Sequence, residues 1–194
     1  MLTAQAKVLS ASQTKTVLMY LETTRNPIRN RLIFLLSIKS GLRAKEISNL
    51  TWSMVSNAEG IISEEIRLED RASKGRSGGV IPMASDLRLA LREWRRCSVN
   101  ATMSDAIITT ERSCRTTPQV IVNMFRDWYS CLGFEGCSSH SGRRTFITNL
   151  ARKISLVGGS MRDVQMLARH ASLNMTQRYI EIDTAAQRKV IDLI

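Results

Sequence analysis

The feature that most constrains the fold is a short segment that is apolar on nearly every side. Residues 28–39 read IRNRLIFLLSIK, and they lie between Asn26-Pro27 and Gly41. Proline commonly begins a helix and glycine commonly ends one. A helix that is apolar all round has no face to offer to water, so it must be buried. The sequence therefore predicts a core helix that the rest of the chain encloses.

Helical periodicity dominates the remainder of the chain as well, and Ser12 is the expected cap of the first helix. The predicted helices cover residues 12–23, 28–39, 44–50, 85–97, 118–132, 141–153, 162–168, 174–180 and 184–194. Alternation over residues 60–83 predicts strands at 60–62, 65–69 and 79–82, the last two joined by the loop RASKGRSGG. The expected fold is mainly α with a small three-stranded antiparallel β-sheet, in one domain spanning residues 1–194.

The charge of the chain indicates a polyanionic partner. The formal net charge is +11 for 194 residues, and residues 140–180 contain seven Lys or Arg against one acid, Asp163. Nucleic acid is the first candidate for the partner, and an anionic membrane surface is the second. The longest apolar run, LIFLLSI, is too short to span a bilayer, so no membrane partner is predicted.

The four cysteines are expected to be free thiols in a reduced, cytoplasmic setting, at the nucleoid if the source is bacterial. They contain no C-x-x-C pair, and no apolar signal segment precedes them. A zinc module that uses Cys114, Cys131, Cys137 and His140 is an alternative, but the spacing contains no tight ligand pair.

Two stretches of the C-terminal third carry groups that phosphate chemistry requires. HSGRR places His140 and Arg143 three residues apart on one face of a helix start, and LARHASLNMTQRYIEI contains His170 and Tyr179. Guanidinium groups bind phosphate oxygens with paired donors, and a phenol is able to attack phosphorus as a covalent nucleophile. These residue types together predict chemistry on a phosphodiester rather than simple binding.

A further segment, SGLRAKEISNLTW, places Gly-Leu-Arg at a helix start with Glu46 three residues after Arg43. It resembles the first active-site box of the tyrosine recombinases, the phage integrase and Xer family. HSGRRTF resembles the H-x-x-R box of that family, and RHASLNMTQRY resembles the stretch that ends in the nucleophile. Lys74, in ASKGRSGGVIPM, matches the β-hairpin lysine. The resemblance covers nearly the whole chain and implies the family's catalytic-domain architecture.

The resemblance implies how the scissile phosphate is held. Arg43 and Arg143 would clamp the phosphate and stabilise the pentacoordinate transition state, and His170 would hydrogen-bond it. Glu46 would orient these groups without reacting. A plain salt bridge between Arg43 and Glu46 at the start of the helix is the alternative for that pair.

The resemblance also implies the covalent steps. Tyr179 would attack phosphorus to give a 3′-phosphotyrosine and a free 5′ hydroxyl, His140 would assist by taking the phenolic proton, and Lys74 would protonate the leaving 5′ oxygen. The reaction would need no metal ion, no cofactor and no ATP, because fixed cations supply the positive charge and the covalent link conserves the phosphodiester energy.

Other arginines are candidate contacts to the DNA. The set is Arg76, Arg144, Arg162, Arg169 and Arg178. Arg76 is also an alternative to the loop lysine Lys74. Arg144, Arg162 and Arg178 either contact the DNA backbone or are plain surface. Arg169 stands where the family usually has glycine, and it either adds a phosphate contact or alters the turn.

The implied partner is double-stranded DNA, bound by a homo-tetramer. The usual N-terminal DNA-clamping domain of the family is not present in this sequence, so the chain is either a naturally short member or a fragment, and an accessory DNA-binding protein is a possible helper. The helix over 184–194 is expected to dock on a neighbouring protomer, or else on its own domain.

Two other functions fit part of the sequence. A non-catalytic regulator would use residues 161–180 as a helix-turn-helix, with residues 176–179 near the major groove. This explains the charge but not Arg43, Lys74 or His140. A type IB topoisomerase would use the same chemistry to relax supercoils.

Overall fold

The predicted core helix is confirmed in the computed structural model, which describes residues 5–73, 78–111, 113–179 and 191. This helix, α2, runs over Pro27–Ser40 and ends at Gly41, whose φ of 64° is left-handed. Its residues from Leu32 to Ile38 are all buried. A Cβ at Gly41 would lie 2.5 Å from the ring of Phe146, so this position requires glycine both for its backbone angle and for the close contact.

The other elements enclose α2 as the sequence predicts. The helices are α1 Ala11–Glu22, α2, α3 Ala44–Asn49, α4 Ser85–Cys97, α5 Pro118–Cys131, α6 Ser141–Lys153, α7 Met161–Ala168 and α8 Leu173–Gln177. The strands are β1 Glu65–Leu68 and β2 Gly79–Pro82, and short 3-10 turns cover Trp52–Met54, Asp70–Ala72 and Ile154–Val157. α2 packs against α1, α3, α4 and α6. The fold class, mainly helical with a small antiparallel sheet, is confirmed.

Two local predictions differ from the structure for identifiable reasons, and a third concerns residues outside the described part. The cap of α1 is Ser10 rather than Ser12, because the Ser10 side chain accepts the Gln13 N–H while the Gln13 side chain accepts the Ser10 N–H. α8 ends at Gln177, since the Tyr179 N–H donates to the Thr176 carbonyl in a turn. The helix predicted over 184–194 lies outside the described residues, apart from Ile191.

The described sheet has two strands rather than the three predicted. β1 pairs antiparallel with β2, with Ile66 opposite Ile81. The segment predicted as a strand over 60–62 makes a single bridge, from Ile62 to Ser56. The Asn57 side chain accepts the Ile61 N–H, and this closes a tight turn that leaves no length for a strand.

A small second core carries the C-terminal helices. Ile147 on α6 packs with Val164 and Ala168 on α7, and Tyr179 lies at the edge of this cluster. The glycine after Ser141 lets α6 approach α2 closely, because a Cβ at Gly142 would lie 2.9 Å from the Ser37 Cβ. These contacts bring the starts of α3 and α6 next to the turn between α7 and α8. No helix in the described part is both long and apolar enough to cross a membrane.

Candidate active site

A cavity of about 520 Å³ lies where these three segments meet. Five of the six predicted catalytic residues line it: Arg43, His140, Arg143, His170 and Tyr179. The sixth, Lys74, lies outside the described residues, as does Arg76. The folded chain thus gathers these three segments of sequence into one cationic pocket with a phenol in its wall.

Arg43 is the residue that precedes the first turn of α3, and Glu46 holds it there. The Arg43 N–H donates to Glu46 Oε2 at 2.8 Å, and its Nη1 donates to Oε1 at 2.9 Å. Burial of Glu46 by itself raises its pKa, but Arg169, the Arg43 N–H and the Arg43 guanidinium together hold the pKa below its usual range. The predicted orienting role and the simple salt bridge therefore describe one and the same contact, while Arg43 still lines the cavity.

Arg143 is held by backbone carbonyls from two other segments. Its Nη1 donates to the Gly41 carbonyl at 2.7 Å, and its Nη2 donates to the Ala168 carbonyl at 2.5 Å. The residue is 5% exposed. Burial, with the nearby charge of Arg43, lowers the pKa of Arg143 to about 10, so the guanidinium stays charged at neutral pH. A charged, rigidly held donor at the base of the cavity is suited to binding an anion.

His170 is fixed through both its backbone and its ring. Its N–H donates to the Gln165 carbonyl, and its carbonyl accepts from Gln165 Nε2 at 3.0 Å. Its Nδ1 is 3.0 Å from Thr176 Oγ1, and its ring stacks on Tyr179 with centroids 5.4 Å apart. Burial, and then the charges of Arg143, Arg43 and Arg169, lower the pKa of His170 to about 4. The imidazole is therefore neutral at pH 7, with one nitrogen engaged by the threonine hydroxyl.

This lowered pKa predicts a pH dependence of stability. Between the ordinary histidine pKa near 6.5 and the folded value of about 4, the unfolded chain binds a proton that the folded chain does not. The contribution of His170 is fully present above pH 6.5 and is lost as the pH falls through this window. Urea unfolding of wild type and His170→Asn is measured from pH 7.5 to 4. The difference between their free energies of unfolding should shrink as the pH falls. Curves that stay parallel across the window would contradict the expected shift.

His140 lies at the mouth of the same cavity. It is exposed at the position before α6, and its Nδ1 is 3.4 Å from the hydroxyl of Ser139. His140 is also the cap residue of α6, and the partial positive charge of a helix N-terminus favours an anion near it.

The predicted DNA contacts are divided by the structure. Arg144 and Arg178 line the cavity, and Arg144 also donates to the Ala6 carbonyl at 2.8 Å. Arg162 is exposed away from the cavity, beside Gln165. Arg169 keeps the left-handed turn with φ of 54°, and its side chain is only 4% exposed. The predicted phosphate contact requires Arg169 to reach the surface, and its side chain does not.

Several supporting residues were not identified from the sequence. Gln165 and Thr176 fix His170, and Gly41 binds Arg143 through its carbonyl. Thr176 is the one with a signal, because it opens the T-x-x-Y spacing that ends in Tyr179. The contacts of Gln165 with His170 and of Gly41 with Arg143 depend on how the chain folds, and no local sequence pattern predicts them.

The zinc module and the helix-turn-helix regulator find no support in the geometry. Among the described residues, no three His, Cys, Asp or Glu side chains group closely enough to hold a metal ion, so the zinc module is not assembled. A helix-turn-helix on DNA requires Thr176 near the major groove, but this residue is fully buried and bonded to His170.

Comparison with known proteins places the chain in a family. The profile of the phage integrase family matches residues 7–186. The tyrosine recombinase XerC of Rhizobium meliloti (strain 1021) is 26% identical over 166 residues, which are 84% of this chain and 49% of that protein. The tyrosine recombinase XerC of Mesorhizobium japonicum is 30% identical over 159 residues, covering 81% of this chain and 48% of that protein. The chain thus spans about half the length of these relatives.

Solved structures share the fold. The crystal structure of XerA recombinase matches with a TM-score of 0.74 at 24% identity, over 100% of this chain and 65% of that one. The Tn1549 transposon integrase matches with a TM-score of 0.75 at 16% identity, over 99% of this chain and 67% of that one. These likenesses show the fold, and the profile match over residues 7–186 establishes that the chain belongs to the phage integrase family of tyrosine recombinases.

Proposed function

We propose that this chain cuts and rejoins DNA at specific sites through a 3′-phosphotyrosine intermediate. The observation that carries the proposal is the convergence of Arg43, His140, Arg143, His170 and Tyr179 on one cavity. The phenol oxygen of Tyr179 attacks phosphorus and displaces the 5′ oxygen. The phenolic proton passes to His140, and Lys74 donates the proton that the leaving oxygen takes up.

The two arginines and His170 stabilise the charge that develops on the phosphate. Arg43 and Arg143 face the same space, and the neutral imidazole of His170 has one ring nitrogen on Thr176, which leaves the other for the phosphate. Fixed cations in a partly dry cavity stabilise a pentacoordinate phosphorane more strongly than water does. Rejoining is the reverse reaction with a different 5′ hydroxyl, so it needs neither ATP nor a metal ion.

Double-stranded DNA is the proposed substrate. Solved relatives include a XerH site-specific recombinase bound to its difH substrate and a lambda integrase dimer bound to a core site. The cationic cavity and the net charge of +11 fit such a polyanion. We assign the reaction to a homo-tetramer that assembles on DNA in the cytoplasm. The segment 184–194 docks between protomers. An accessory DNA-binding protein assists where one domain alone binds DNA weakly.

Covalent capture tests this function and identifies the DNA site in the same experiment. A pool of nicked duplexes with randomised arms is incubated with the protein, because loss of the short fragment past the nick traps the covalent intermediate. Denaturing gels should reveal a protein–DNA adduct, and digestion with mass analysis should place the nucleotide on Tyr179. Sequencing of the captured DNA should then yield a preferred site.

Two controls separate this function from its alternatives. Chelation of divalent ions should leave the adduct unchanged, and its loss would contradict the metal-free mechanism. On the captured site, strand exchange between two duplexes is expected for a recombinase, whereas relaxation of plasmid supercoils without exchange would indicate a topoisomerase. Sequence-specific binding without any adduct would indicate a regulator.

A further inference from the structure

Arg169 occupies a position that is unfavourable for arginine in two ways. Among the described residues it is the only non-glycine with a positive φ, 54°. Left-handed backbone is costly for residues with a side chain and nearly free for glycine. Its guanidinium is also buried, and Nε and Nη1 find no hydrogen-bond partner among the described residues. A buried charge without its full set of partners is a further cost, so the presence of arginine here requires a physical reason.

The one ion pair that the structure gives Arg169 leads back to the active site. Its Nη2 donates to Glu46 Oε2 at 2.8 Å, across 123 residues of sequence. The same oxygen accepts the Arg43 N–H, while Oε1 accepts from the Arg43 guanidinium. Glu46 is fully buried between the two arginines. Arg169 therefore reaches the phosphate-binding Arg43 only through this carboxylate.

The charge balance indicates what Arg169 changes. With Glu46 paired to Arg43 alone, one carboxylate would cancel one of the two guanidiniums that face the phosphate. With Arg169 present, three guanidiniums surround one carboxylate, which leaves two positive charges at the site instead of one. Burial makes these charges count for more than they would in water.

Arg169 also lies against the hairpin that leads to Lys74. A Cβ at Gly79, the first residue of β2, would lie 3.7 Å from Arg169 Cδ. The methylene carbons of the side chain thus lie against the hairpin. Its guanidinium is linked to the start of α3 through Glu46. Its backbone immediately precedes His170.

We propose that Arg169 is a positioning residue for DNA cleavage: it neutralises Glu46, so that Glu46 holds Arg43 in place without cancelling the charge that Arg43 presents to the scissile phosphate. The inference rests on the proposed function. It gives Arg169 a part in the reaction that requires no contact with DNA.

The experiment compares wild type, Arg169→Gly, Glu46→Gln and the double variant on the captured DNA site. Glycine suits the left-handed turn and offsets part of the loss of the buried ion pair with Glu46, so Arg169→Gly should remain folded at the assay temperature, which its melting curve checks. Its rate of adduct formation at saturating DNA should fall by about ten- to a hundredfold, since Glu46 is then no longer neutralised and cancels part of the charge that Arg43 presents to the phosphate. In the Glu46→Gln background, the same change should cause no further slowing. Arg169→Lys, which keeps the charge, should recover most of the rate.

The pH profile provides a readout that a purely structural role would not change. Arg169 and Arg43 hold the pKa of Glu46 low. Loss of Arg169 should therefore move the acid limb of the cleavage rate to higher pH, because Glu46 then takes up a proton earlier as the pH falls.

Two outcomes would overturn the inference. They are a wild-type rate in Arg169→Gly, and equal slowing with and without Glu46. A wild-type protein that forms no adduct with any DNA in the pool would instead refute the proposed function, and the inference with it.

Discussion

Replacing Tyr179 by phenylalanine should abolish the covalent protein–DNA adduct completely. The hydroxyl oxygen is the atom that would bond to phosphorus, and among the described residues that line the cavity Tyr179 supplies the one phenol. The ring itself should stay in place, since phenylalanine keeps the stacking on His170 and the packing at the second core. The free energy of unfolding should therefore change by less than about 1 kcal/mol.

The measurement is adduct formation on a denaturing gel, beside DNA binding on a native gel. Tyr179→Phe should bind DNA as wild type does and yield no adduct. Tyr20→Phe is the matched control, because it removes the same hydroxyl from α1, away from the cavity. An adduct that persists in Tyr179→Phe would mean that another residue is the nucleophile.

Arg143→Ala should damage both the reaction and the fold. The side chain is 5% exposed and donates to the carbonyls of Gly41 and Ala168, so its loss leaves two buried acceptors without partners. The expected loss of folding free energy is about 3 kcal/mol. The cleavage rate should fall by about a thousandfold or more, since a fixed guanidinium is removed from the transition state.

Arg143→Lys separates the two effects. Lysine keeps the positive charge but has one nitrogen in place of the paired donors, so it cannot bridge both carbonyls and also bind the phosphate in the same geometry. We expect a smaller loss of stability and a rate that is still reduced by about a hundredfold. Urea unfolding and single-turnover cleavage provide the two values.

The control for these variants is Arg126→Ala on α5. This arginine is exposed and pairs only with the adjacent Asp127 among the contacts that the structure describes. Its removal should change the free energy of unfolding by less than about 0.5 kcal/mol and leave cleavage unchanged. If Arg143→Ala were as harmless as Arg126→Ala, neither its structural nor its chemical role would stand.

Local sequence patterns were sufficient for most of the helices. The bounds of α4 and α6 are as predicted, because periodicity and cap residues are local signals. The prediction of a strand over 60–62 was wrong. The side chain of Asn57 closes a turn there, and the alternation of apolar residues does not reveal it. The residues of the candidate site came from spaced motifs and a family resemblance. Their catalytic roles, like those of Lys74 and the tail helix, stay predictions.

The position of Arg169 illustrates the limit of such patterns. Its charge and its place before His170 suggested a contact to DNA, yet the side chain turns inward to Glu46. That choice depends on a carboxylate 123 residues away and fully buried. No property of the neighbouring residues distinguishes an inward arginine from an outward one.

For this protein, the order of amino acids alone establishes a buried central helix, a basic C-terminal third and a set of groups able to react at a phosphate. These follow from short-range physics: helical period, capping, charge and the chemistry of each side chain. Only the packed fold decides that Arg43, Arg143 and His170 share one cavity, that Tyr179 stacks beside them and that Arg169 supports them from within. Contacts between distant segments form where buried polar groups find partners, and those partners exist only once the chain has folded.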